Sequence, residues 1–232
     1  LTMGTIIIMR KRNDNIVRLK ATSLDVIVEA DKSRAIVVVS APGKRFKDDI
    51  KITDMLYKCY NEVVENGDCK QTFAIIRERF KDIVRDLELT LDIDSILDRT
   101  EQEINEIKTA DFAASRGEYL SARIVAEFLG FEFVDASELI RFDSHGKLNV
   151  DYTDDKVSSR LSNVEYAVIP GFYGLGADGK VKTFSRGGGD ISGSIVARSV
   201  MASLYENWTD VSGFYVCDPR IITSPKWIPE LT

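Results

Sequence analysis

The chain has 232 residues, 44% of them hydrophobic, enough for one large domain, alone or with a small appendage. Its net charge of −6 argues against nucleic acid as the main partner, because phosphate backbones demand a concentrated basic surface. No apolar run approaches the ~20 residues of a membrane span. The odd trio Cys59, Cys69 and Cys217, without metal-ligand spacing, points to free thiols in a reducing cytosol and to no metal site.

In chain order, the sequence opens on Leu1, so residues are expected upstream of it. GTIIIMRKRNDNIVRLKATS reads as a strand followed by a charged segment. The basic runs Arg10-Lys11-Arg12 and Gly43-Lys44-Arg45 are too short to change the reading of the net charge. The uninterrupted β-branched run ending at Val39 predicts a strand buried on both faces, broken by Ser40-Ala41-Pro42-Gly43. From Thr53 to about Arg99 apolar residues recur every three or four positions, which predicts helices interrupted near Gly67. DFAASRGEYLSARIVAEFLG predicts a long amphipathic helix stopped by Gly130. FEFVDAS reads as a short strand and YAVIPGFYG as a second buried strand ending in a Pro-Gly turn. The single histidine, His145, falls in the polar turn FDSHGKL, which argues against Ser-His-Asp or His-metal chemistry. ADGKVKTFSRGGG holds a hairpin turn at Asp178-Gly179, and NWTDVSGFYVCDPR gives short strands about Ser212-Gly213. Alternating strands and helices indicate a layered α/β fold with a mainly parallel sheet, whose ligands bind beyond the carboxyl ends of the strands. Ser40 to Lys44, Gly171 to Gly174 and Trp208 to Tyr215 follow such strands.

The most informative stretch is TFSRGGGDISGSIVARSV. Gly187, Gly188 and Gly189 permit close backbone approach, and Ile191, Ile195, Val196 and Val200 predict a helix starting near Asp190 or Ile191. The glycines then precede a helix N-terminus, where free N–H groups and the dipole favour an anion. Arg186 adds a guanidinium fork that can grip a carboxylate, and Asp190 can cap the helix or meet an ammonium. A tight turn with a surface arginine is the alternative. Arginine and aspartate flanking three glycines tip the balance towards a ligand site.

IVVVSAPGK, KITDMLY, SRGEYLSARI, VIPGFYG, TFSRGGGDISGSIVA and WTDVSGFYVCDPRI together resemble the aspartate kinases of the amino-acid kinase superfamily, over roughly Ser33 to Thr232. The resemblance implies a three-layer α/β sandwich around a mainly parallel central sheet. It implies ATP- and magnesium-dependent phosphorylation of the side-chain carboxylate of L-aspartate. The product would be 4-phospho-L-aspartate, on the way to lysine, threonine and methionine, in the cytoplasm and in a homo-oligomer, without nucleic-acid or membrane partners. Carried over by position, Arg186 would hold the substrate α-carboxylate. Gly187, Gly188 and Gly189 would close on the substrate and the moving phosphoryl group. Asp190 would stand near the substrate ammonium and active-site lysines as the catalytic residue. Glu118, Thr53 and Ser40 would line the substrate site, and Thr209, Asp210, Tyr215 and Arg220 would bind the nucleotide. Taken alone, Thr53 reads as a helix N-cap and Glu118 as a solvated helix charge, except that Gly117 beside it is costly inside a helix and needs another reason. A carboxylate nucleophile is already ionised at neutral pH, so the chemistry asks for positioning and positive charge rather than a general base.

Two departures stand out. The family's opening strand ends in Lys-Phe-Gly-Gly-Thr-Ser; here the nearest match is LKATSL, and without paired glycines Lys20 reads as a surface lysine. Residues 1–25 are thus expected to be an atypical N-terminal segment, and 26–232 a catalytic domain incomplete at its C-terminus. The family's Gly-Ala-Lys-Val-Leu-His-Pro stretch and ACT domains do not occur in these residues. The alternatives are another amino-acid kinase, of glutamate type, and a non-catalytic aspartate- or nucleotide-binding remnant.

Overall fold

A computed structural model describes residues 6–10, 34–185, 188–208, 214–217, 221–224 and 226–228. Strand β1 (Ile6–Arg10) precedes β2 (Arg34–Val39), whose six residues are all buried. Four helices follow: α1 (Ile52–Asn66), α2 (Lys70–Asp86), α3 (Ile93–Ile107) and α4 (Ala110–Leu129). Then come β3 (Glu132–Phe133), the short α5 (Ala136–Leu139), α6 (Val150–Leu161) and β4 (Ala167–Pro170). The hairpin β5 (Tyr173–Leu175) and β6 (Val181–Thr183) leads to α7 (Gly188–Ser199) and β7 (Leu204–Trp208). Strands β8 (Phe214–Tyr215) and β9 (Trp227–Ile228) pair with each other.

The helices stop where the sequence says they should. Gly67 and Gly130 take the left-handed conformation, φ 92° and 66°, at the ends of α1 and α4. Side-chain caps start α3, α4 and α6: Asp92 accepts from the Ser95 N–H, Thr109 from Phe112 and Asn149 from Tyr152. Two elements differ from expectation. FEFVDAS yields only two strand residues, because Asp135 already caps α5 by accepting from the Ser137 N–H. Phe214 and Tyr215 pair with Trp227 and Ile228 rather than with the preceding strand.

The main sheet has the order β3-β4-β2-β1-β7. Strands β3, β4 and β2 pair in parallel, whereas β1 runs antiparallel to both β2 and β7. It follows that β3, β4, β2 and β7 share one direction and only β1 opposes them. Alternation along β2 divides the core into layers. Val37 and Val39, with Val168, pack on Ala122, Val125 and Ala126 of α4. Ile36 and Val38, with Ile169, face Val157 and Leu161 of α6 and Val196 of α7. Beyond α4, a further apolar cluster joins α1, α2 and α3 through Leu56, Phe73, Phe80 and Leu97. The result is the expected three-layer α/β sandwich. Among the described residues no helix is long and apolar enough to cross a membrane.

Candidate functional site

The register places several strand ends together. Val39 of β2 lies opposite Pro170 of β4 and Ile6 of β1, and Ile6 lies opposite Trp208 of β7. The chain therefore leaves β2, β4 and β7 at one edge of the sheet, where ligands of open α/β folds bind. Ser40 follows β2 and Gly171 follows β4 at that edge.

A cavity of about 230 Å³ opens there, lined by Ser40, Thr53, Glu118, Phe172, Gly188, Gly189 and Asp190. Six of these seven were singled out in the sequence. Tight backbone packing builds the wall. The Gly171 N–H donates to the Val39 carbonyl at 2.8 Å, and a Cβ on Gly171 would come within 3.2 Å of Gly189 Cα. A Cβ on Gly189 would stand 2.7 Å from Ser40 Oγ. At Gly171 the close neighbours are backbone atoms, and at Gly189 the Ser40 hydroxyl, so a side chain at either position would crowd the wall. Helix α7 begins at Gly188, not near Asp190, so Gly188 and Gly189 form its first turn instead of preceding it. The Ser192 hydroxyl donates to the Gly188 carbonyl at 2.7 Å, which ties down that turn.

Thr53 lies in the first turn of α1, half-buried, with Lys51 in the N-cap position, so its role is not capping. Glu118 lies in the middle of α4, a helix buried on nearly every side. It is 7% exposed, and its Oε2 meets no hydrogen-bond partner among the described residues. Burial pushes its carboxyl up to about 8, only partly opposed by the Ala41 N–H and by Arg116. Gly117 supplies the reason the sequence left open: a Cβ there would sit 2.9 Å from Ala41 Cβ and 3.2 Å from Ile52 Cγ2. The missing side chain lets α4 press against the end of β2 and the start of α1, which brings Glu118 to the cavity. Arg116 is buried and has no acidic partner at bonding distance among the described residues. Its guanidinium donates to Ser115 Oγ at 2.9 Å and faces the rings of Phe112, Tyr119 and Tyr173.

Asp190 stands on the exposed rim, its Oδ1 accepting from Asn207 Nδ2 at 3.1 Å and its carbonyl from the Tyr205 hydroxyl at 3.4 Å. Sequence reasoning passed over Phe172, Ser192 and Asn207. Phe172 has φ 77°, uncommon for a bulky residue, and its N–H donates to Ser192 Oγ at 2.9 Å. Its presence in PGFYG was visible, but nothing local signals a left-handed phenylalanine. His145 sits exposed in its turn, away from the cavity lining, where Asp143 Oδ1 accepts its N–H.

The family model for the amino acid kinase family matches residues 9–232. The chain belongs to this family. As a family member it is 33% identical to aspartokinase 3 of Bacillus subtilis over 223 residues, 89% of the chain and 48% of that protein. It superposes on the crystal structure of Clostridium acetobutylicum aspartate kinase with a TM-score of 0.82 at 44% identity, covering 88% of the chain and 47% of that structure. Escherichia coli aspartokinase III in complex with aspartate and ADP shares the fold, with a TM-score of 0.71 at 24% identity over 87% of the chain and 48% of that structure. The family member thus spans about half the length of these relatives. Lys20, Arg186, Gly187, Thr209, Asp210 and Arg220 lie outside the described residues, and Tyr215 is described by its backbone alone.

Proposed function

We propose that the chain is the catalytic region of an aspartate kinase, transferring the terminal phosphoryl group of ATP to the side-chain carboxylate of L-aspartate. The observation that carries this reading is the convergence of Ser40, Thr53, Glu118, Gly188, Gly189 and Asp190 on one small cavity. Glu118 is a buried carboxyl group with an unsatisfied oxygen, which suits a substrate ammonium at fixed distance. The first turn of α7 presents N–H groups and the positive end of the helix dipole to a carboxylate or phosphoryl group. In this reading Arg186 and Gly187 complete the grip on the α-carboxylate, and Thr53 and Ser40 orient the rest of the substrate. Asp190, held by Asn207, faces the transfer zone.

The nucleotide residues of the reading are Thr209, Asp210, Tyr215 and Arg220. Support comes from β7, which delivers the chain to the edge where Ser40 leaves β2. Magnesium would arrive with the ATP phosphates, which supply most of its ligands, so a cluster of acidic side chains is not required. Among the described residues there is none of three or more. Asp190, the exposed acid on the cavity wall, fits such a complex, in which the metal would neutralise phosphate charge. In the transfer a carboxylate oxygen of aspartate bonds to the γ-phosphorus as the bond to the β–γ bridging oxygen breaks. ADP leaves and no proton moves, because the attacking carboxylate is already ionised at neutral pH.

A hydroxylamine trap with Mg-ATP tests the reading. L-Aspartate is expected to give the hydroxamate and L-glutamate none. Product from L-glutamate alone would replace the substrate, and no product from either would overturn the kinase reading for this chain.

A further inference from the structure

The segment between Ser40 and Thr53 is held in an unusual way. Lys44, Arg45, Phe46, Lys47, Asp48 and Ile50 are exposed, Phe46 at 61% and Ile50 at 57%, so apolar burial does not fix their path. A buried polar pin does. Arg79 of α2 is 4% exposed and reaches across to this segment. Its Nη1 donates to the Ile50 carbonyl at 3.1 Å, its Nη2 donates to the Gly43 carbonyl, and Nη1 stands 3.3 Å from Asp49 Oδ2. Asp49 is buried as well. Its carboxylate accepts from the backbone N–H of Arg45 at 2.9 Å and of Ile50 at 3.1 Å, and from Arg45 Nε and Nη2 at 3.0 Å each. Hydrogen bonds from Arg45 hold the Asp49 carboxyl well below the usual carboxylate range, while burial lowers the Arg79 guanidinium.

A buried ion pair is weak support for stability, since apolar residues of similar volume often serve as well; its better-attested use is to select one geometry. Here the geometry selected borders the cavity on both sides. Gly43 is two residues after Ala41, whose N–H acts on Glu118 and whose Cβ bounds Gly117. Ile50 is two residues before Ile52, which packs beside Gly117, and three before Thr53.

We propose that Arg79, paired with Asp49, is a positioning residue for the amino-acid half of the cavity, fixing Ser40, the Ala41 N–H and Thr53 around Glu118. The proposal rests on the kinase reading above. Arg79 touches no substrate; it acts through the two carbonyls and the carboxylate it holds. A guanidinium can bridge the three acceptors at once, and an ammonium cannot reproduce the fork.

The experiment compares wild type with Arg79→Met, Arg79→Lys and, as a control on the same helix, Arg77→Met, whose native side chain pairs with Asp98 and Glu101 of α3 instead. Arg79→Met is expected to raise the KM for L-aspartate about tenfold, as misplaced contact groups do, while kcat and the KM for ATP stay within about twofold. Arg79→Lys should lie between, and Arg77→Met should match wild type. A merely structural role would lower the active fraction and leave both KM values alone. A folded Arg79→Met with unchanged aspartate KM, or with both KM values raised equally, overturns the proposal. If Arg79→Met does not fold, Arg79→Lys decides by the same criteria. If wild type shows no L-aspartate-dependent turnover, the kinase reading has failed by itself. The pin is then judged by hydrogen exchange of residues 41–53: faster exchange in either Arg79 variant supports it, and unchanged exchange overturns it.

Discussion

Helices α3 and α4 follow one another and carry acids and bases in opposite ways. On α3 the charges are paired: Arg99 meets Glu103 one turn away on the surface, and Arg77 of α2 reaches Asp98 and Glu101. On α4 Arg116 and Glu118 are both buried, and among the described residues neither has an opposite charge at bonding distance. Surface pairs contribute little and mark solubility and local helix stability. An unpaired buried carboxyl group is costly and persists where function needs it. The contrast teaches that burial without a partner, rather than charge itself, sets Glu118 apart at the cavity wall.

The largest expected effect comes from removing that carboxyl group. Glu118→Gln should cut kcat/KM for L-aspartate about 100-fold, on the order of 3 kcal/mol for a charged hydrogen bond to a buried group. It should also change how stability responds to pH. The Glu118 carboxyl is raised to about 8 in the folded chain, above its ordinary value near 4.5. The buried neutral acid therefore contributes fully below about 4.5, and that contribution is lost as pH rises through about 8. Melting curves of wild type should fall across this window relative to Glu118→Gln; parallel curves would break the contrast.

Gly117→Ala tests how α4 is brought to the cavity. Alanine gains up to about 1 kcal/mol in helix propensity. Against that stand the contacts of 2.9 Å to Ala41 and 3.2 Å to Ile52. Overpacking of this kind costs about 1–3 kcal/mol. The expected result is a melting temperature lower by a few degrees and reduced aspartate turnover. Smaller still, Ser192→Ala strips the acceptor from the Phe172 N–H and should cost about 1 kcal/mol, with the aspartate KM rising more than the ATP KM. At the bottom of the scale, Arg99→Ala on α3, a change in an exposed pair, should leave both the melting temperature and turnover unchanged. A large loss there would undo the comparison.

Much of this was legible beforehand. The buried run of β2, the stops at Gly67 and Gly130 and the turn at Asp178-Gly179 are local matters of side-chain shape and backbone freedom, and they occur as read. Gly117 stood out as a costly helix residue, and the structure gives its reason in a neighbouring segment. Periodicity puts the start of α7 near Asp190 or Ile191, two or three residues after Gly188, because glycine is a poor helix former and Ser192's bond to Gly188 is not visible in composition. The left-handed Phe172 was missed because its conformation is imposed by packing against α7.

The sequence by itself determined most of the elements, the layered α/β class and six of the seven residues lining the cavity, since these follow from periodicity, turn chemistry and a recognisable order of motifs. Only the tertiary structure decided that β1 runs against its neighbours, that Glu118 is buried and raised in pKa, and that Arg79 reaches a carbonyl 36 residues away in sequence. Burial and long-range pairing depend on what the fold brings from elsewhere in the chain, and no local window contains that information.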